Sequence, residues 1–97
     1  MRHMKVKVRY YTTLRYLVGN AEEELLMEAG ATLAHLIKKV ALKYGEKASA
    51  YLYHNKEKID PAIYFLINGA NSKILSGFDT KLRDGDVVAI VPPIGGG

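Results

Sequence analysis

The sequence predicts a single α+β domain, in which a mixed sheet of four to five strands packs on one main helix and a flexible tail follows. Three patterns in the 97 residues predict this class: a strictly alternating segment near the start, one amphipathic helical stripe in the middle, and the unbroken apolar run Val87–Val91 near the end. We therefore divide the chain into a domain over residues 1–91 and an extended Pro-Pro/Gly tail over residues 92–97. Residues 1–3 are open to interpretation as a leader or tag remnant, because Met4 could be the natural start.

The first two strands are predicted to form an antiparallel hairpin. Residues 4–11 alternate, with Val6, Val8 and Tyr10 on one face and mainly basic residues on the other. Residues 22–29 form the second strand with the same period. The short segment between the two strands favours a hairpin with a wide loop.

One main helix is predicted after the hairpin. Thr32 is a suitable N-cap because its hydroxyl can accept hydrogen bonds from the free amides of the first turn, and Gly45 occupies the position of a C-terminal cap. The apolar residues between them form a single stripe along the helix. They are Leu33, Leu36, Ile37, Val40 and Tyr44.

The remaining strands complete the sheet. Residues 46–62 are the least regular part, and residues 48–53 fit either a short helix or an extended segment. A strand over residues 63–67 ends at an Asn-Gly turn, and residues 73–75 are predicted as a short edge strand. The last strand, Val87–Val91, is apolar throughout, which predicts a central position parallel to the first strand and buried on both faces. A sheet that packs on one helix leaves its other face open, and we expect nonpolar residues there to form a docking patch.

Composition excludes several classes of function. The chain has no cysteine, so it has no disulfide framework, no thiolate metal site and no cysteine nucleophile. Its apolar runs are too short to span a membrane and its start has no apolar signal region, so we expect a cytoplasmic protein without membrane contact. The net charge of +4 comes from basic residues that are spread along the chain, which makes nucleic-acid binding unfavoured.

No catalytic or metal-binding constellation is predicted. His3, His35 and His54 lie in different parts of the chain without paired carboxylates, and His35, in the first turn of the helix, is interpreted as a surface or structural residue. Asp84 and Asp86 flank a glycine, and we interpret them as caps of a turn rather than as metal ligands.

The most informative feature is the C-terminal tail. Two prolines break the strand and favour an extended path, and the glycines have no side chain to bury in a core. The tail consists of Pro92, Pro93, Ile94, Gly95, Gly96 and Gly97. When extended it reaches roughly 20 Å, far enough to enter the active site of another protein. A frayed or cloned terminus is the alternative, because termini are often disordered.

These segments resemble the MoaD family, the small subunits of molybdopterin synthase, which have the ubiquitin-like β-grasp fold. That family closes with a Leu-x-Asp-Gly-Asp turn, an apolar strand, Pro-Pro, an aliphatic residue, a small residue and Gly-Gly. Residues 82–86, Val87–Val91 and residues 92–97 match this order. The Leu-Arg-x-x-x-Gly segment at residues 14–19 and the strand-to-turn Asn-Gly at residues 65–69 are also similar to the family.

The resemblance implies a sulfur carrier. Gly97 would be adenylated by a ubiquitin-activating-like enzyme that uses ATP, and then thiocarboxylated with sulfur from a donor protein. It would donate this sulfur to molybdopterin, or to its tungsten counterpart, while residues 92–96 contact the large subunit of the synthase. The chain itself would be a non-catalytic sulfur-donor subunit that binds no cofactor and no metal. The departures from the family pattern, Gly95 in place of Ala, Ser or Thr and Tyr16 in place of an acidic residue, bear on the choice of partner more than on the chemistry of the tail.

Three other functions stay open. The same tail would serve a ubiquitin-like modifier whose Gly97 is joined to target lysines, because that pathway also begins with adenylation. A sulfur carrier of thiamine synthesis is a further alternative, although those proteins are usually shorter and generally lack the Pro-Pro pair. An RNA-binding β-grasp module would not need the glycine ending.

Overall fold

The strands and helices of this computed structural model are defined over residues 2–55 and 58–92, which are the residues it describes. In chain order they are β1 (His3–Tyr10), α1 (Thr12–Val18), β2 (Glu22–Glu28), α2 (Leu33–Tyr44), α3 (Glu46–Leu52), β3 (Tyr64–Ile67), β4 (Ala70–Asn71) and β5 (Val87–Val91), with short 3-10 turns at Ser72–Ile74 and Gly77–Asp79.

The five strands form one mixed sheet in the order β2-β1-β5-β3-β4. β1 and β2 are an antiparallel pair, as predicted. β5 lies at the centre, parallel to β1 and antiparallel to β3. The central position and the parallel direction of the last strand are therefore confirmed, and the topology is that of the expected β-grasp fold.

The core lies between one face of this sheet and the helices. The β1 residues Val6, Val8 and Tyr10 are fully buried, and in β5 Val88 and Ile90 alternate with half-buried neighbours. Four residues of the predicted α2 stripe are also fully buried: Leu33, Leu36, Ile37 and Val40. All of them belong to one hydrophobic cluster, so the main helix packs on the sheet face that carries Val6 and Val8.

Local hydrogen bonds fix the start of α2. The Thr32 hydroxyl accepts from the His35 amide, and the His35 Nδ1 accepts from the Thr32 amide at 2.9 Å. The two residues form a capping box in which histidine takes the place usually held by glutamate or glutamine. The interpretation of His35 as structural is therefore confirmed.

Two predictions about the connections are wrong. The predicted wide loop between β1 and β2 contains α1, a helix of seven residues. It begins at Thr12 with a φ of 48° and without a side-chain cap, and it ends at Gly19 in the left-handed conformation. The predicted edge strand at residues 73–75 is instead a 3-10 turn, and the edge of the sheet is β4. Ile74 is 77% exposed there because no neighbouring strand covers it.

The prediction that β5 is buried on both faces is also wrong. Its burial alternates, with Val88 and Ile90 buried and Val87, Ala89 and Val91 only half-buried. β5 is apolar at every position because the residues on one side pack in the core and those on the other side belong to the open face of the sheet. The segment for which the sequence left helix and extended structure open forms α3.

Candidate functional site: the open sheet face and the base of the tail

A hydrogen-bonded turn next to β5 fixes where the tail begins. Asn68 and Gly69, between β3 and β4, have φ angles of 51° and 86°. The Asn68 Nδ2 donates to Asp86 Oδ1 at 2.9 Å, and the Val87 amide donates to Asn68 Oδ1 at 2.9 Å. The Asn68 side chain thus joins this turn to the first residue of β5.

The turn before β5 is joined to β1 in a similar way. Asp84 Oδ1 accepts from the Lys5 amide at 2.8 Å, and Asp86 Oδ2 accepts from the Arg83 amide at 2.8 Å. Gly85, with a φ of 86°, donates its amide to the Lys5 carbonyl. Both carboxylates therefore bond to the protein itself, which confirms the interpretation as turn caps. The described residues contain no group of three or more histidine and acidic side chains that could hold a metal ion.

These contacts set the register of the central strand. A shift of one residue would exchange its two faces, because side chains alternate with a period of two. In the observed register Val8 pairs with Val88, Phe65 with Ile90 and Tyr64 with Val91. Pro92 follows directly, half-buried, at the end of the sheet where β1 ends and β3 begins.

The open face of the sheet carries an apolar strip that leads to this point. It is formed by alternate residues of β5 and β3, namely Val87, Ala89, Val91, Leu66 and Tyr64. Tyr64 is 43% exposed, and Val91, the last of the β5 residues, is followed by Pro92. We call these five residues the apolar strip. A partner that covers it would also contact the first residue of the tail.

Charged residues border the apolar strip on the β1 and β2 side. In the sheet register Lys7 lies beside Val87, and Arg9 lies beside Ala89. Both basic side chains approach Glu22, at 3.8 Å from Lys7 and 3.5 Å from Arg9. All three side chains are substantially exposed, so the pairs contribute little to stability. Their arrangement suits a partner with complementary charges at the rim of a nonpolar contact.

Of the predicted site residues, the structure describes Pro92. It directly follows Val91, the last residue of β5. The other predicted residues lie outside the described part of the chain: Pro93, Ile94, Gly95, Gly96 and Gly97. The sequence predicted an open nonpolar face without naming its residues. The signal that identifies Ala89 and Leu66 is the pairing register, which cannot be read from one strand alone.

A second polar cluster lies on the helix side, around Glu23. Tyr10 donates its hydroxyl to Glu23 Oε2 at 2.6 Å, Tyr44 donates to the same oxygen, and Lys43 donates to Oε1 at 2.6 Å. Burial alone would raise the pKa of Glu23, but the hydrogen bonds from Lys43, Tyr10 and Tyr44 lower it overall. Burial is also the main reason why the pKa of Tyr10 is raised. Both carboxylate oxygens have donors, so the cluster links β2 to the end of α2.

In the part of the chain that the structure describes, no helix is long and apolar enough to cross a membrane.

Comparison with known proteins supports the fold. A model of the ThiS family matches residues 8–97. The small archaeal modifier protein 3 of Haloferax volcanii is 29% identical over 94 residues, which cover 97% of this chain and 100% of that protein.

Two solved structures are similar over nearly the whole chain. The small archaeal modifier protein 1 of Methanosarcina acetivorans superposes with a TM-score of 0.84, at 29% identity and with 100% of both chains covered. A Pyrococcus furiosus protein, provisionally named molybdopterin converting factor, subunit 1, gives a TM-score of 0.74 at 31% identity, with 94% of this chain and 99% of that chain covered.

Proposed function

Because the chain belongs to the ThiS family, we propose that it is a sulfur carrier that reacts through the carboxyl group of Gly97. An activating enzyme transfers AMP from ATP to this carboxylate with release of pyrophosphate. Sulfur from a donor protein, delivered as hydrosulfide, then attacks the carbonyl carbon and displaces AMP, and a thiocarboxylate results. The observation that carries this proposal is the position of Pro92, the first residue of the tail, because β5 is held in register at its start and is followed by Pro92 beside the apolar strip.

The chemistry explains the composition of the tail. A carboxylate is a poor electrophile, because its charge repels a nucleophile and oxide is a poor leaving group, so activation must come first. The activating enzyme must surround the carbonyl closely and exclude water. Gly96 and Gly97 have no Cβ, so their backbone can pass through a channel that a larger residue would block.

We propose that the carrier docks through the apolar strip and that the tail enters the large subunit of molybdopterin synthase. Strip and tail are continuous through Val91 and Pro92, so one partner would contact both. The sulfur would then build the dithiolene of molybdopterin or of its tungsten counterpart. The name of the Pyrococcus furiosus relative, at 31% identity, supports this acceptor.

A second candidate function is that of a protein modifier, in which Gly97 forms an amide with lysines of other proteins. The observation that favours it is the similarity to two small archaeal modifier proteins, each 29% identical over nearly the full chain. Both functions use the same activated Gly97, and they differ in the group that attacks it.

The experiment that tests the proposal supplies both kinds of acceptor. Thiocarboxylated protein is incubated with the large synthase subunit and the sulfur-free pterin precursor, and in parallel with lysine-bearing proteins in the presence of the activating enzyme and ATP. We expect dithiolene product, and return of the chain to its carboxylate form, only where the large subunit is present. Lysine conjugates without any dithiolene product would overturn the sulfur-carrier proposal in favour of the modifier. A chain that lacks Gly97 is the control for both reactions.

A further inference from the structure

A groove between α2 and α3 lies on the helix side of the molecule, away from the apolar strip. Its volume is about 700 Å³. One wall follows α2 and the other follows α3 and the segment after it. Its lining includes Ala34, His35, Lys38, Leu42, Glu46 and Tyr53. Since the helices cover one face of the sheet and the strip lies on the other, the groove and the apolar strip are on opposite sides.

The groove combines small residues along α2 with one exposed and two partly buried apolar side chains. Ala34 and Ala41 leave room along α2, while Leu42, Tyr53 and Ile59 present apolar surface. Leu42 lies outside the fully buried stripe by which α2 contacts the core, and it is 75% exposed. Apolar side chains along a concave surface between two helices suit the ridge of a third helix.

The groove has charged residues of opposite sign on its two helices. His35 lies in the first turn of α2 and Lys38 in its middle, whereas Glu46 is the first residue of α3. The His35 Nδ1 accepts the Thr32 amide, so in the neutral ring the proton is on Nε2, which can donate to a ligand. Lys39 donates to the Leu26 carbonyl and Lys43 to Glu23, whereas Lys38 makes no ion pair or hydrogen bond with the described residues. The groove therefore offers donors from α2 and an acceptor at the start of α3.

We propose that the α2–α3 groove is a second protein-docking site that holds a short amphipathic helix of a partner protein. The partner helix places apolar side chains against Leu42 and Tyr53, a carboxylate next to Lys38, and a basic side chain next to Glu46. An occupant of this groove leaves the apolar strip and Pro92 uncovered, so the docked protein and a partner bound at the strip can bind simultaneously.

The test uses a synthetic amphipathic peptide and the isotopically labelled full chain in solution NMR. The peptide has a leucine ridge, a glutamate near one end and a lysine near the other. A second peptide has lysine in place of the glutamate. We expect the first peptide to shift the amide signals of Ala34, Leu42 and Ser49, and to leave those of Leu66 and Ala89 unchanged. Shifts confined to the sheet signals, or none at millimolar peptide, would overturn the proposal.

Variants of exposed residues make the test specific. Leu42→Asp should weaken binding about tenfold, and Lys38→Glu should weaken binding of the first peptide about fivefold while strengthening that of the second. The matched controls on the open face are Leu26→Asp, at a residue 51% exposed, and Lys7→Glu, and both should bind like the parent chain. Equal losses in groove and control variants would contradict the proposal.

A second copy of the chain is the competing occupant, and the molecular mass in solution decides between the two. We expect a monomer whose mass does not change with concentration. A dimer that Leu42→Asp dissociates would show that the groove binds another copy of this chain, and the proposal would be wrong. None of these measurements depends on Gly97, so their outcome is separate from that of the sulfur-carrier proposal.

Discussion

At the residue scale, Glu23 shows how one side chain can link a strand to a helix. It is the only glutamate of β2 that points to the helix side among the described residues, and it receives hydrogen bonds from Tyr10, Lys43 and Tyr44. The sequence does not distinguish it from its neighbours in the run Glu22–Glu28, because β2 is acidic at both faces. Its role follows from the end of α2, which places Lys43 and Tyr44 above the strand.

This cluster predicts a specific dependence of stability on pH. The pKa of Glu23 is lowered in the folded state, so its contribution is fully present above the ordinary glutamate value of 4.5 and is lost as the pH falls below it through the folded-state pKa. We expect the free energy of unfolding, measured by urea titration, to fall less steeply toward acid pH in Glu23→Gln than in the parent chain. The control is Glu24→Gln on the exposed face, which should retain the parent's pH dependence. Equal slopes in the parent and Glu23→Gln would contradict this role.

At the element scale, the main helix was the part of the fold most readily predicted. A cap, a single apolar stripe and a terminal glycine all agree at Thr32, Leu36 and Gly45. α1 was not predicted because its sequence carries no comparable signal. It has only seven residues, no side-chain cap and two buried positions, Leu14 and Val18. Its formation depends on packing against the core rather than on local signals. The edge strand failed for a related reason, because Ile74 and Leu75 are apolar but exposed.

The packing of α2 predicts a large difference between two leucines of the same helix. Leu36 is fully buried, so Leu36→Ala should lower the free energy of unfolding by about 2–5 kcal/mol. Leu42 lies on the outer side of α2, and Leu42→Ala should change it by less than about 0.5 kcal/mol. Denaturant unfolding of both variants measures the difference. A loss at Leu36 within the surface range would show that α2 does not pack as described.

The turn at Asn68 predicts a coupling between strand register and stability. Asn68→Ala removes the hydrogen bonds to Asp86 and from the Val87 amide, and it places alanine at a φ of 51°. We expect a loss of roughly 1–3 kcal/mol in urea unfolding. Asn71→Ala, which removes one side-chain hydrogen bond to the Lys73 amide, is the control and should cost less. If both variants lost the same amount, the Asn68 contacts would not hold β5 as we describe.

At the scale of the whole molecule, we expect the folded domain to supply stability and the tail to supply partner binding. The described core is complete without residues 93–97, so we expect removal of residues 92–97 to leave the thermal unfolding midpoint nearly unchanged. The same truncation should weaken binding to the large synthase subunit, measured by calorimetry. Leu66→Asp, in the apolar strip, should weaken this binding as well, whereas Leu42→Asp on the helix side should not. Binding that is equal with and without the tail would contradict the docking model.

How far the site could be predicted also differs between body and tail. The tail was recognisable from Pro92 to Gly97 because its composition has no use in a core. The proposed docking face could not be recognised in this way. Its residues Val87, Ala89 and Val91 resemble core residues until their pairing with β1 and β3 shows which face of the sheet they occupy. Apolar character alone does not distinguish a buried face from an exposed one.

The most direct test of the central claim is the intact mass of the chain after incubation with an activating enzyme, ATP and a sulfur donor. We predict a gain equal to the exchange of one oxygen for sulfur at Gly97, because the chain has no cysteine that could carry the sulfur instead. Deletion of Gly97, or addition of a residue after it, should abolish the gain, Gly96→Val should slow it severely, and Gly95→Ala should be tolerated. A chain without Gly97 that gained sulfur as readily as the full chain would contradict the account.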